Sequence, residues 1–196
     1  DGVLQVNHPT GSGGLYTSAG YNLDNGTIGR PDFWSPKFDV MELINDASFQ
    51  SYLPYYFDLI SRGYNVGPVS VSDSHGHSNG VGVNRTYVFA PTMSSSDIMV
   101  GMKGNQMVPS AGPYIHATIN DEFAPGKIFA SGSTLNVDIF NPSWMDVDTI
   151  ELYENGVVVE SIPYTDGRIS FTLQPTSDAH YSVVASGTFP MLPLYD

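Results

Sequence analysis

Between Val69 and Asn79 the chain runs Val-Ser-Val-Ser-Asp-Ser-His-Gly-His-Ser-Asn, so Asp73, His75 and His77 follow a strand-like run at two-residue intervals. Carboxylate oxygen and neutral imidazole nitrogen are donors that zinc, manganese and iron accept. An Asp-x-His pair at a strand end can aim both side chains into one cavity. The same pattern also suits an Asx turn with solvated histidines. Gly76 lets the chain turn away before His77, so Asp73 and His75 are the better ligand candidates. His8, in Val-Asn-His-Pro-Thr, ends another apolar run and is fixed by Pro9. It is placed either to face a strand-end cavity or to make a structural hydrogen bond. In Phe-Asp-Val-Met-Glu-Leu, Asp39 and Glu42 fall on opposite sides of a strand. Glu42, inside the apolar run, is the candidate ligand or general base. His116 and His180 have no acidic partner in view and read as structural. Neither a Gly-x-Ser-x-Gly elbow nor a phosphate loop is present, so serine-nucleophile catalysis has no sequence support.

The elements that must position these residues follow strand–helix–strand grammar in the first half. Val3–Asn7, Phe38–Ile44, Val66–Ser72 and Arg85–Ala90 are strand candidates. A helix is predicted from Phe49 to Arg62, because Phe49, Leu53, Tyr56, Leu59 and Ile60 recur at three-four spacing. Pro54 is expected to kink or restart it, and Gly63 to stop it. Ser94–Gly104 reads as a short helix with a serine cap. In such folds ligands gather at the carboxyl ends of strands, where His8 and Asp73 stand. The long segment from His8 to Lys37 suggests a functional loop. Its Gly-Ser-Gly-Gly run precedes no clear helix start, which speaks against a phosphate cradle. Its Tyr16, Tyr21, Phe33 and Trp34 either line a pocket or pack the loop. From about Met107 helices disappear. Six short strands follow, with Asn155-Gly156 a strong hairpin signal, which predicts a β-sandwich of immunoglobulin-like size.

Composition limits the partners. With 20 acidic and 7 basic residues in 196, net charge −13 and no Lys/Arg cluster, neither nucleic acid nor an anionic membrane surface is expected. There is no Cys, which excludes disulfides and thiol ligands. Asn25-Gly-Thr and Asn84-Arg-Thr match glycosylation sequons. Acidity and absent Cys suggest a secreted or periplasmic setting. The chain begins almost on an apolar strand, which suggests the C-terminal part of a longer protein.

Taken in order, Leu-Gln-Val-Asn-His-Pro, Phe-Asp-Val-Met-Glu-Leu-Ile-Asn-Asp, the run from Leu59 through Gly76, and Asn-Arg-Thr-Tyr-Val-Phe-Ala-Pro resemble the C-terminal part of a PHP domain (polymerase and histidinol phosphatase superfamily). The nearest flavour is the CehA/McbA-like metallohydrolase group. The resemblance covers roughly residues 2–106. It implies the C-terminal portion of a distorted (β/α)7 barrel over 1–107, followed by an immunoglobulin-like β-sandwich over 108–196. It implies that His8, Asp73 and His75 ligate two or three divalent ions of zinc, manganese or iron. Glu42 falls where the family has an acidic strand residue, here assigned to catalysis. His77 matches no family ligand. The implied chemistry is hydrolysis of a small ester or phosphoester by metal-activated water, with Arg85 the candidate substrate contact. The family's early His-x-His and further ligands are not in this chain. The missing N-terminal part of the same protein is therefore an expected partner, and the chain alone is expected to be catalytically poor. The competing reading is a binding module whose β-sandwich holds carbohydrate or another protein. Trp144 and Tyr153 are its candidate aromatics, and Tyr164 and Tyr181 its core.

Overall fold

The structure, a computed structural model, describes residues 2–45, 49–76 and 81–188. His77 lies outside the described residues. The architecture among them is mixed: three α-helices and twelve strands in several sheets, none closed into a barrel. No helix is long and apolar enough to cross a membrane.

Three parallel strands build the first sheet: β1 (Gln5–Val6), β2 (Val40–Ile44) and β3 (Gly67–Ser70), in the order β1-β2-β3. Parallel strands are buried on both faces, and the Val-Met-Glu-Leu run of β2 is buried throughout. The register is Gln5 opposite Val40 and Val40 opposite Gly67, with an irregularity between Glu42 and Ile44. Helix α2 (Phe49–Ser61) connects β2 to β3 and buries Tyr52, Leu53, Phe57 and Leu59, the face expected from its spacing. It runs unbroken through Pro54, which stands in its second turn, close to the end where few intrahelical bonds are lost. The predicted loop from His8 to Lys37 is better ordered than its composition suggests. It carries helix α1 (Leu15–Ala19), a 3-10 turn at Pro31–Phe33 and a bridge between Tyr21 and Ile28.

Strand β4 (Arg85–Val88) pairs antiparallel with β5 (Met107–Ser110), and helix α3 (Ser95–Lys103) joins them. Ser94 caps α3 by accepting the Asp97 N–H. This pair is stitched to β3 by side chains: Thr86 Oγ1 bonds both the N–H and the carbonyl of Ser70, and Ser70 Oγ donates to the Ser110 carbonyl.

The second half contains two antiparallel sheets. One orders β10 (Val157–Pro163), β9 (Thr149–Glu154) and β12 (Tyr181–Ser186). The other orders β11 (Ile169–Thr172), β8 (Thr134–Phe140), β6 (Tyr114–Ile119) and β7 (Glu122–Phe123). Both contribute to one core, with Ile150 and Leu152 from the first and Ala117, Ile119, Leu135, Val137 and Phe171 from the second. Asn155 and Gly156, with φ of 50° and 80°, make the tight hairpin between β9 and β10. The halves meet on aromatic contacts. Phe57 of α2 packs on Tyr153 and His180, with ring centroids 5.3 and 5.8 Å away, and Phe89 stacks on Phe123 at 4.9 Å.

Candidate functional site

Three consecutive parallel strands deliver the candidate residues to one end of the first sheet. His8 lies two residues past β1, Glu42 is on β2, and Asp73 lies three residues past β3. The His8 backbone is anchored first. Its N–H donates to Glu42 Oε1 at 3.1 Å. The Gly-Ser-Gly-Gly run wraps onto it, with the Gly11 N–H donating to the His8 carbonyl and the Tyr16 N–H to the Pro9 carbonyl. At Gly14 a Cβ would collide with both of those carbonyl oxygens. Glycine there is what permits helix α1 to start against the His8–Pro9 turn. The five residues of α1 have no side-chain cap. Glycines here serve close packing around a histidine.

The His8 imidazole stands between two carboxylates. Nδ1 is 3.3 Å from Glu42 Oε1, and Nε2 is 3.5 Å from Asp73 Oδ2. Asn45 Nδ2 joins on the Nδ1 side, 3.4 Å from both the ring nitrogen and Glu42 Oε1. Glu42 is 1% exposed, and its Oε2 is buried with no hydrogen-bond partner. A buried carboxylate oxygen without a donor is costly, and such groups concentrate where a site is incomplete. Asp39, the other acid of β2's approach, accepts the Leu4 N–H and serves the backbone.

His8 and Asp73 both hold left-handed backbone conformations, with φ of 45° and 44°. Non-glycine residues pay for that geometry, and it clusters where side chains must be aimed. His75 is drawn toward Asp73. Its Nδ1 lies 2.6 Å from the Asp73 carbonyl oxygen and 3.6 Å from Oδ1, while the ring is mostly exposed. Nδ1–H donation to that carbonyl leaves Nε2 as the ring's available acceptor.

Donor type and pair spacing suit a divalent cation. Two ligands on one tetrahedral ion at ~2.0–2.2 Å stand roughly 3.3–3.6 Å apart, which matches His8 Nε2 and Asp73 Oδ2. Ligand number is short: among the described residues no three His, Cys, Asp or Glu side chains form a metal-binding group. The structure thus brings His8, Glu42, Asp73 and His75 into one cluster with the donor pair of a coordination sphere rather than the whole of it. Arg85 makes no printed bond or ion pair with this cluster. Its guanidinium donates to the Val83 carbonyl at 3.1 Å, and its Nε is buried without a partner.

The remaining sequence candidates sort by packing. Tyr16, Tyr21 and Trp34 form an edge-to-face cluster with Tyr55 around the core residues Met41 and Leu59, so these aromatics pack the loop. Phe33 lies under the Arg30 guanidinium at 3.9 Å. His116 does have an acidic partner: it lies opposite Asp138 in the β6–β8 register, 4.0 Å from its carboxylate. Sequence could not show this, because the pairing spans 22 residues and depends on register. His180 Nε2 meets Ser61 Oγ at 2.8 Å, and burial lowers its pKa. Its Nδ1 is buried without a partner. With no acid to orient the ring, this pair lacks the third group of a nucleophilic triad. Asn45 is the site residue that sequence reasoning missed; its only signal was its place directly after β2. Asn84, in the second sequon, is buried, whereas Asn25 is exposed in a turn with Thr27.

No family model, curated protein or solved structure matches the chain.

Proposed function

We propose that this chain contributes part of the metal centre of a metal-dependent hydrolase acting on small esters, phosphoesters above all. The observation that carries the reading is the His8–Asp73 pair, whose Nε2–Oδ2 separation of 3.5 Å is that of two donors on one ion. His8 Nε2 and Asp73 would hold the cation, with His75 Nε2 the next available donor. Glu42 acts through His8: by taking the backbone N–H and standing beside Nδ1 it fixes ring orientation and tautomer, as outer carboxylates do for metal-bound histidine. That makes Glu42 a positioning residue rather than one that touches substrate. Asn45 holds Glu42 and the ring in register. A divalent ion of zinc, manganese or iron type supplies water activation and charge stabilisation when bound.

The number of donors on this chain argues that others come from elsewhere. Strand β1 pairs only with β2 among the described residues, so its other edge is open. A further parallel strand added there, as a PHP-type barrel requires, would bring its carboxyl end beside His8. On this reading the remainder of the same protein completes the site, and the two-sheet second half is an immunoglobulin-like companion domain.

The test is hydrolysis of bis(p-nitrophenyl) phosphate by the protein from its full reading frame, with zinc, manganese or iron(II) supplied. Metal-dependent turnover that falls at least a hundredfold in Asp73→Asn is expected. Turnover indifferent to both chelator and Asp73→Asn contradicts the proposal.

A further inference from the structure

A second site stands on the opposite account: it is neutral, aromatic and distant in sequence from His8 and Asp73. Where β4 meets β6, four rings wall a cleft of about 220 Å³: Tyr87, Phe89, Tyr114 and Phe123. Tyr87 and Tyr114 are 4.9 Å apart at 53°, and Phe89 stacks on Phe123 at 4.9 Å and 15°. The aromatic row continues along the sheet, from Tyr114 to Phe140 and from Phe123 to His116, each at 6.1 Å. Packing between the halves explains the buried Phe123. It does not explain why Phe89 and Phe140 stay more than half exposed, at 52% and 58%. Nor does it occupy the phenol hydroxyls. Neither Tyr87 nor Tyr114 has a hydrogen-bond partner for its hydroxyl among the described residues. Burial, with Tyr87 beside it, raises the Tyr114 pKa, so that hydroxyl stays protonated and able to donate.

We propose that this cleft binds a single neutral sugar ring of a glycan. Its volume is below the ~300–1,000 Å³ of sites for drug-sized ligands, which limits the occupant to about one ring. Its wall holds no ionisable group other than the two phenols, and the chain's net charge of −13 opposes uronic or sulfated sugars. A pyranose has an apolar C–H face for the rings and hydroxyls for Tyr87 and Tyr114. A proline-rich peptide also favours aromatic walls, but in extended form it advances about 3.1 Å per residue and needs a longer groove.

The experiment is saturation-transfer NMR on the metal-free protein, so that the outcome is independent of the His8 site. The probes are glucose, galactose, mannose, xylose and N-acetylglucosamine, each with its β-1,4 or α-linked oligomers, and decaproline as the competing ligand. At least one sugar is expected to show transfer to its C–H protons. Tyr114→Ala and the double variant Tyr87→Phe/Tyr114→Phe are expected to weaken that binding about tenfold or more, while Trp144→Ala leaves it unchanged. The double variant keeps every ring, so it reports on the hydroxyls in a folded protein. No transfer from any sugar, equal affinity in the double variant, or displacement by decaproline would overturn the proposal.

Discussion

His8 and Asp73 face each other across the end of the first sheet, Nε2 to Oδ2 at 3.5 Å, and both sit at positive φ, 45° and 44°. Each such residue costs about 1–2 kcal/mol relative to an ordinary backbone conformation. Two of them, on segments that follow different strands, converge on one pair of side-chain atoms. The Glu42 carboxylate and the Gly11–Gly14 wrap hold the first. The strain is local and the pairing is long-range, which is the pattern expected where aim matters more than stability.

Replacing Asp73 with glycine separates these two demands. Glycine accepts the left-handed conformation without strain. Stability toward denaturant should be unchanged or higher, by up to about 1 kcal/mol, while divalent-metal binding is lost. Chemical denaturation with a parallel metal titration checks both. A loss of stability comparable to a core substitution would mean that Asp73 is structural.

Glu42→Gln tests the positioning role. The amide nearly preserves shape, so the protein should fold. Metal affinity should fall about 10–100-fold, the usual effect of losing an outer-shell carboxylate. Calorimetric titration with zinc measures it. An unchanged affinity would leave Glu42 as buried ballast with no hold on His8.

Gly101→Ala sets helix propensity against packing. In an open helix alanine would stabilise by roughly 1 kcal/mol. Here a Cβ would stand 2.5 Å from the Phe89 carbonyl oxygen and 2.9 Å from Val88 Cγ1. Overpacking of that kind costs about 1–3 kcal/mol, so α3 should lift off β4 and the melting temperature should fall. A higher melting temperature would show that α3 is free to move.

The elements that sequence revealed are those whose signals are local. Three-four apolar spacing located α2, and Asn155-Gly156 located the β9–β10 turn. Alternation located β6, β8 and β9, and the serine cap located α3. Helix α1 was hidden because its start is set by Gly14 fitting under two carbonyls rather than by a capping side chain. Strand β5 was hidden by Pro109 and its four-residue length, and β7 by having two residues. At the site, residue types were legible, and Glu42 was preferred to Asp39 for its apolar neighbours. That His8 stands between Glu42 and Asp73 was not, because it depends on how β1 and β3 flank β2. Trp144 and Tyr153 illustrate the same limit. Tyr153 packs on Phe57, and the aromatic cleft instead joins Tyr87 and Phe89 to Tyr114 and Phe123, pairings that no local pattern announces.

His180 supplies a pH prediction. It is stacked on Phe57, bonded to Ser61, and its pKa is lowered by burial from an ordinary value near 6.5. Above that value both folded and unfolded states hold it neutral, and its contribution is complete. As pH falls through about 6.5 the unfolded chain takes the proton first, so stability declines toward the lower folded-state pKa. Melting temperatures between pH 8 and 5 should show a decline that His180→Asn lessens. Parallel curves for the two proteins would contradict the assignment.

The central claim is that His8 and Asp73 are two donors to one divalent cation. The most direct measurement is metal stoichiometry by elemental analysis, after equilibration with zinc or manganese, of the protein from its full reading frame and of its Asp73→Asn variant. The account predicts at least one bound equivalent, reduced by the substitution. No bound metal, or the same amount in both proteins, would contradict it.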